Sequence, residues 1–210
     1  MLCSTSLILS LTALCVAAGE PSETMQVRME QDMLCIEMAG KPLMRYQLTE
    51  NPFKPYVQEF FTPAGVNVLR DAPHDHLHHH ALMFAIGVNG VSFWAETPEC
   101  GRQLHKSIAV LPGPSPAGFT QTLQWQTPEG VALLEEQRII HVAHDAPGGA
   151  TLLFWESSLK TPEGADAVTL TGSHYYGLGM RFLESMDSGG TFLYARSEER
   201  RVGKECRSRW

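Results

Sequence analysis

The sequence predicts an all-β chain folded as a large antiparallel β-sandwich, and three observations predict it. Turn signals recur about every ten to fifteen residues. The segments between them are short and rich in β-branched and aromatic residues. None of them carries a sustained helical period, so about a dozen strands and no helix are expected.

Taken in order, the first eighteen residues hold no charged side chain, run apolar from Leu7 to Ala18, and present Val16 and Ala18 as small residues before a cleavage point. Residues 1–18 read as an export signal, which places the mature chain, from Gly19, in the secreted or periplasmic space. The stretch is too short for a comfortable membrane span and no later one approaches that length. "MLCIEMAGKPLMRYQL" from Met33 reads as two strands joined through Ala39–Pro42. "ALMFAIGV" from Ala81 reads as a buried strand; begun at His78, it would put His78 and His80 on one face and His79 on the other. "FTQTLQW" alternates strictly and places Phe119, Leu123 and Trp125 on one face, with Gln121 the polar exception. "VALLEEQRIIHV" and "ATLLFWESSLK" have helical length, but their Val, Ile, Thr and Trp content favours strands. Three Thr-Pro-Glu turns, at Thr97, Thr127 and Thr161, carry Pro at the second position of a type I turn and read as hairpin connectors.

Residues 196–210 hold six of the sixteen basic residues and three of the twenty-three acidic ones, without strand or helix periodicity. They resemble translated sequencing-adapter read-through. A single sandwich domain over residues 19–195, cut short at its C-terminal end, is therefore expected. The remainder is more acidic than the formal net charge of −7, which argues against a nucleic-acid partner, since such binding needs a basic footprint. Outside the two terminal segments only Cys35 and Cys100 remain, enough for one disulfide and too few for a zinc knuckle.

The chemistry concentrates at "PHDHLHHHALMF", residues 73–84, which gathers five of the nine histidines between His74 and His80. Imidazoles at such spacing can ligate a divalent transition metal, with His76, His78 and His79 the expected ligands. Alternatively, one can serve as general acid or base near neutral pH. His76 or His79 is the expected proton-transfer group, Glu96 its complement, and His105 an orienter or second acid. Trp94, two residues before Glu96, offers the ring face that a pyranose stacks on. His80, Arg70, His174 and Arg181 complete the expected substrate contacts, while Arg70 and Asp71 are also placed to pair with each other. The nucleophile elbow, the zinc-protease helix motif, the P-loop and the dinucleotide fingerprint are all missing.

The histidine segment, the "NGVSFWAE" that follows it, "GRQLHKS" and "YYGLGMRFLESMDSGGTFLYA" resemble the bacterial family labelled methane oxygenase PmoA-like, over roughly residues 26–195. Asp75, His76, His78, His79, Leu82 and Phe84 match its usual pattern, whereas Leu77 replaces Pro, His80 replaces Arg, Ala81 replaces a small residue and Met83 replaces Trp. The methane monooxygenase subunit of that name is a helical membrane protein, and nothing in this chain has the length to span a bilayer. The resemblance implies instead a secreted sandwich similar to the galactose mutarotases, in a carbohydrate-degrading setting. A small sugar or glycoside is the expected substrate, and a non-catalytic carbohydrate- or metal-binding sandwich is the alternative.

Overall fold

The computed structural model describes residues 24–145 and 147–186; the expectations for residues 1–18 and 196–210 lie outside them. Thirteen strands and one short 3-10 turn make up the regular structure of the described residues. A six-stranded sheet runs in the order β1 (Met25–Glu30), β2 (Met33–Met38), β3 (Lys41–Gln47), β4 (Tyr56–Phe60), β5 (Leu82–Ala85) and β13 (Gly177–Met180). A four-stranded sheet has the order β11 (Ala150–Lys160), β10 (Ala132–Asp145), β9 (Ala117–Gln126) and β8 (Arg102–Leu111). A small third sheet joins β12 (Leu170–Thr171), β6 (Gly87–Val88) and β7 (Val91–Ser92). All strand pairs are antiparallel. The fold is thus the all-β sandwich that the period-2 alternation predicts. No helix among the described residues is long and apolar enough to cross a membrane.

Alternation decides which face of each strand is buried. In β9, Phe119, Leu123 and Trp125 are fully buried on the inner face, and Gln121 is buried beside them. Leu34, Ile36, Met44, Tyr46 and Val57 of the first sheet meet Phe119, Ile140 and Val142 of the second in one core. A second core, of Met83, Ala85, Val88, Phe93, Trp94, Leu123 and Trp125, lies beneath the small sheet and the loops that build the site. Burying each of these large apolar side chains stabilises the fold by about 1.5–3 kcal/mol relative to exposure. Cys35 and Cys100 are both buried free thiols, so the disulfide that their number allowed is not formed.

Two local expectations are corrected. The turn at Thr127 does join neighbouring strands, β9 and β10, and is closed by Gly130 N–H donating to Thr127 O at 3.0 Å. Those at Thr97 and Thr161 instead lead from one sheet to another, β7 to β8 and β11 to β12, because the chain must change layer there. The histidines also lie outside the strand, since β5 begins only at Leu82.

The inner packing leaves no room at Gly118, opposite His141 in the ladder. A Cβ there would lie 2.0 Å from the Ile140 carbonyl oxygen and 2.6 Å from the His141 ring. Gly118→Ala is expected to cost about 1–3 kcal/mol, read as a lowered urea midpoint, because the obstructing atom is backbone. An unchanged midpoint would contradict the strand register.

Candidate functional site

Residues 72–79 form a closed loop. His76 N–H donates to Pro73 O at 2.8 Å, His79 N–H to His76 O at 2.9 Å, and Ala72 N–H to His79 O at 3.1 Å, which seals the neck. Two successive turns build it, and the strand that follows starts one residue after the Ala81 read from the sequence. The neck is laced to a distant part of the chain: Arg70 N–H donates to Arg181 O at 3.0 Å, and Arg181 N–H donates to Ala81 O at 2.7 Å. Arg181 thus lies between the two arms of the loop.

Flanking the neck, Asp71 and His80 anchor it to the interior. His80, 6% exposed, contacts Asp71 Oδ1 through Nδ1 at 2.8 Å and Glu96 Oε1 through Nε2 at 2.9 Å. Its ring stacks on Tyr56 with centroids 3.9 Å apart. Asp71 Oδ2 accepts from Tyr56 OH at 3.0 Å and Gln58 at 3.3 Å. Glu96 Oε1 also receives Asn51 Nδ2 at 3.0 Å and the buried Lys54 ammonium at 3.1 Å. Asn51 is oriented unambiguously: its Oδ1 accepts the Phe53 and Lys54 backbone N–H groups, so its Nδ2 is the donor end. Lys54 Nζ is held in turn by the Trp94 carbonyl at 2.6 Å.

The electrostatics follow from these contacts. Burial opposes charge on His80, but its bonds to Asp71 and Glu96 outweigh burial and raise its pKa. For Glu96 burial works the other way and loses to His80, Lys54 and Asn51, which hold its carboxyl down to about 2. The centre is a ring whose charged form is favoured by the two carboxylates on either side of it. With both ring nitrogens engaged, His80 acts as the anchor of the loop, whereas the sequence suggested a substrate contact. Asp71 pairs with His80 and not with Arg70, whose guanidinium lies 3.8 Å from the exposed Glu184.

Outside this anchor the other loop imidazoles gather. His79 has ring centroids 4.4 Å from His78 and 4.7 Å from His76, and its edge meets Trp94 at 5.7 Å. Arg181 Nη2 lies 2.9 Å from His79 Nδ1. A guanidinium can only donate, so Nδ1 is the acceptor and the ring proton sits on Nε2. Burial and the adjoining His78, Arg181, His76 and Lys54 lower the His79 pKa to about 4. His76 Nδ1 lies 2.9 Å from Asp75 Oδ2. Trp94 is largely buried, stacked on Tyr176 at 5.7 Å with 16° between the ring planes. Gly179 lies against its indole, and a Cβ there would come within 3.1 Å.

The structure therefore brings together His76, His78, His79, His80, Trp94, Glu96 and Arg181. His105 is engaged elsewhere, on β8, where its Nδ1 accepts from Gln121 at 2.9 Å. His174 is exposed and packs on Tyr175 with centroids 3.7 Å apart. Sequence reasoning missed Asn51, Lys54 and Tyr56. The Asn-Pro dipeptide at Asn51 does signal a side chain that caps its own turn, and a lysine set between Phe53 and Pro55 in an apolar stretch is a second cue. As placed, the donors do not form a metal centre: no group of three His, Cys, Asp or Glu side chains among the described residues is set to hold an ion.

No curated protein and no solved structure matches the chain. Over residues 33–210 it matches the model of a family described as "Family of unknown function (DUF6807)", and it belongs to that family.

Proposed function

We propose that this is a secreted or periplasmic carbohydrate-active protein that handles protons on a sugar or glycoside at the histidine loop. The observation that carries the reading is a group of partly buried imidazoles on a loop whose neck is held by the Asp71–His80–Glu96–Lys54 network. Positioning of this kind is what acid–base catalysis requires, because a misplaced group loses most of its effect. In this reading His76, whose ring lies 4.7 Å from that of His79, takes a proton from a sugar hydroxyl, and the nearby Asp75 carboxylate favours the charged ring that results. Arg181 fixes the tautomer of His79, which stands beside His76 as the second imidazole of the loop. Glu96 works through His80 as a positioning residue, and Tyr176, backed by the buried Trp94, supplies the apolar wall for the C–H face of the ring. The acidic composition speaks against nucleic acid as the partner.

The second reading is a non-catalytic sandwich that binds a divalent transition metal through His76, His78 and His79, and the closeness of their rings favours it. Since no three donors converge, no step is routed through a metal. Elemental analysis and a panel of sugar turnover assays on the full chain, beside His76→Ala/His79→Ala, separate the two. The expected result is turnover that falls about 10²–10⁴-fold in the variant, the usual contribution of acid–base groups, with no stoichiometric metal in either protein. A stoichiometric metal that the variant loses, without turnover in the parent, would replace the first reading by the second.

A further inference from the structure

A cavity of about 230 Å³ opens between the segment that follows β3 and the start of β8, away from the histidine loop. Thr49, Asn51, Gln103, His105 and Lys106 supply its polar lining. We infer that it is a subsite for the acceptor oxygens of one sugar unit, hydroxyl or carboxylate, and that His105 is its principal donor. The inference rests on the carbohydrate reading above and adds a second place where the sugar is held.

The tautomer of His105 follows from a chain of obligatory donors that begins in the core. Arg138 is fully buried and can only donate, so the Tyr46 oxygen, 2.8 Å from Nη1, is its acceptor. Tyr46 O–H must then donate onward, and Gln121 Oε1 lies 2.6 Å away. The other end of that amide is therefore NH₂, and it donates to His105 Nδ1 at 2.9 Å. The proton of the neutral ring is left on Nε2, the one ring nitrogen outside this chain. Burial lowers the His105 pKa, which keeps the ring neutral near pH 7.

Lys106, beside His105 in the lining, adds an exposed ammonium. Two donors, the His105 Nε2–H and this ammonium, select acceptors. The volume lies below the about 300–1,000 Å³ of pockets that enclose drug-sized ligands, which suits a single ring. Asn51 also bonds Glu96 and approaches His80 at 2.7 Å, so a ligand in the cavity touches the amide that supports the loop anchor.

The test is a titration of the isotope-labelled full chain with methyl β-glucoside and, separately, with glucuronate, followed through the histidine ring resonances. The expected result is a saturable shift of His105. His105→Phe should weaken that binding about tenfold or more, the consequence of one lost hydrogen bond to an oriented donor. His105→Gln should stay within a few-fold of the parent, because its oxygen can accept from Gln121 and its amide can donate to the sugar. His76→Ala should leave the cavity binding unchanged. A response to the glucoside identifies hydroxyls as the ligand oxygens, and a response to glucuronate alone identifies the carboxylate. Shifts confined to the loop histidines, or binding indifferent to His105→Phe, would overturn the subsite and leave the acid–base reading standing. Silence at both places would overturn both.

Discussion

Arg138→Met is expected to destabilise the protein by about 3–5 kcal/mol, the cost of leaving a buried charge without its partner. Glu136 and Arg138 are both fully buried on β10, joined by Nε to Oε1 at 2.8 Å and Nη2 to Oε2 at 2.9 Å. The remaining donors of Arg138 go to Tyr46, to the Pro55 carbonyl at 3.0 Å and to Gln103 at 3.0 Å, and Trp155 covers its guanidinium. Glu136 is completed by Trp125 Nε1 at 2.8 Å and Ser157 Oγ at 2.6 Å. Every donor and acceptor of the pair is used, so removing one member strands the other. Removing both, in Glu136→Leu/Arg138→Met, should cost less than Arg138→Met alone, because no buried charge is left. Some loss should remain, since Tyr46, Gln103 and Trp125 also lose partners. Urea unfolding of the two single variants and the double variant measures this coupling. Additive costs would show that the pair does not act as a unit.

Stability should peak near pH 6.5, with opposite limbs set by two adjacent histidines. His79 is held at about 4 in the folded chain against 6.5 unfolded. The unfolded chain therefore binds the extra proton between those values, and stability falls as pH drops through the window, by up to about 3 kcal/mol from this group. His80 has the reverse shift, its folded pKa lying above 6.5. Its contribution is fully present below 6.5 and is lost as pH rises through the folded value. Glu96 adds to the acid limb: its contribution is present above its unfolded value of 4.5 and is lost as pH falls toward about 2. His79→Asn should flatten the acid limb and His80→Asn the alkaline one, both read from denaturation midpoints across pH. A parent stability that keeps rising above pH 6.5 would contradict the raised pKa of His80.

Much of the fold was legible because its signal is local. Period-2 alternation alone puts Phe119, Leu123 and Trp125 on one face, and the crowding of histidines marks the loop. The same alternation places Glu136 and Arg138 with Leu134, Ile140 and Val142 on the inner face of β10. What makes that burial tolerable is Tyr46, 92 positions away, which no local pattern reveals. The anchor is hidden for the same reason. Asn51 and Lys54 meet Glu96 across 45 and 42 positions, and only the folded sheets bring them there. The apolar run from Ala81 marks the start of β5 to within one residue. It starts at Leu82 because Asp71, His80 and Arg181 bind the preceding backbone into a loop.

The most direct measurement of the central claim is sugar turnover by the full chain and by His76→Ala/His79→Ala, run at pH 6.5 beside their urea midpoints. Both substitutions lie on the loop, outside the Asp71–His80–Glu96–Lys54 anchor. The account predicts that turnover collapses in the variant far beyond what the lowered midpoint, the cost of truncating the buried His79 ring, accounts for, with the variant still folded under the assay conditions. Turnover that survives the loss of both imidazoles would contradict it.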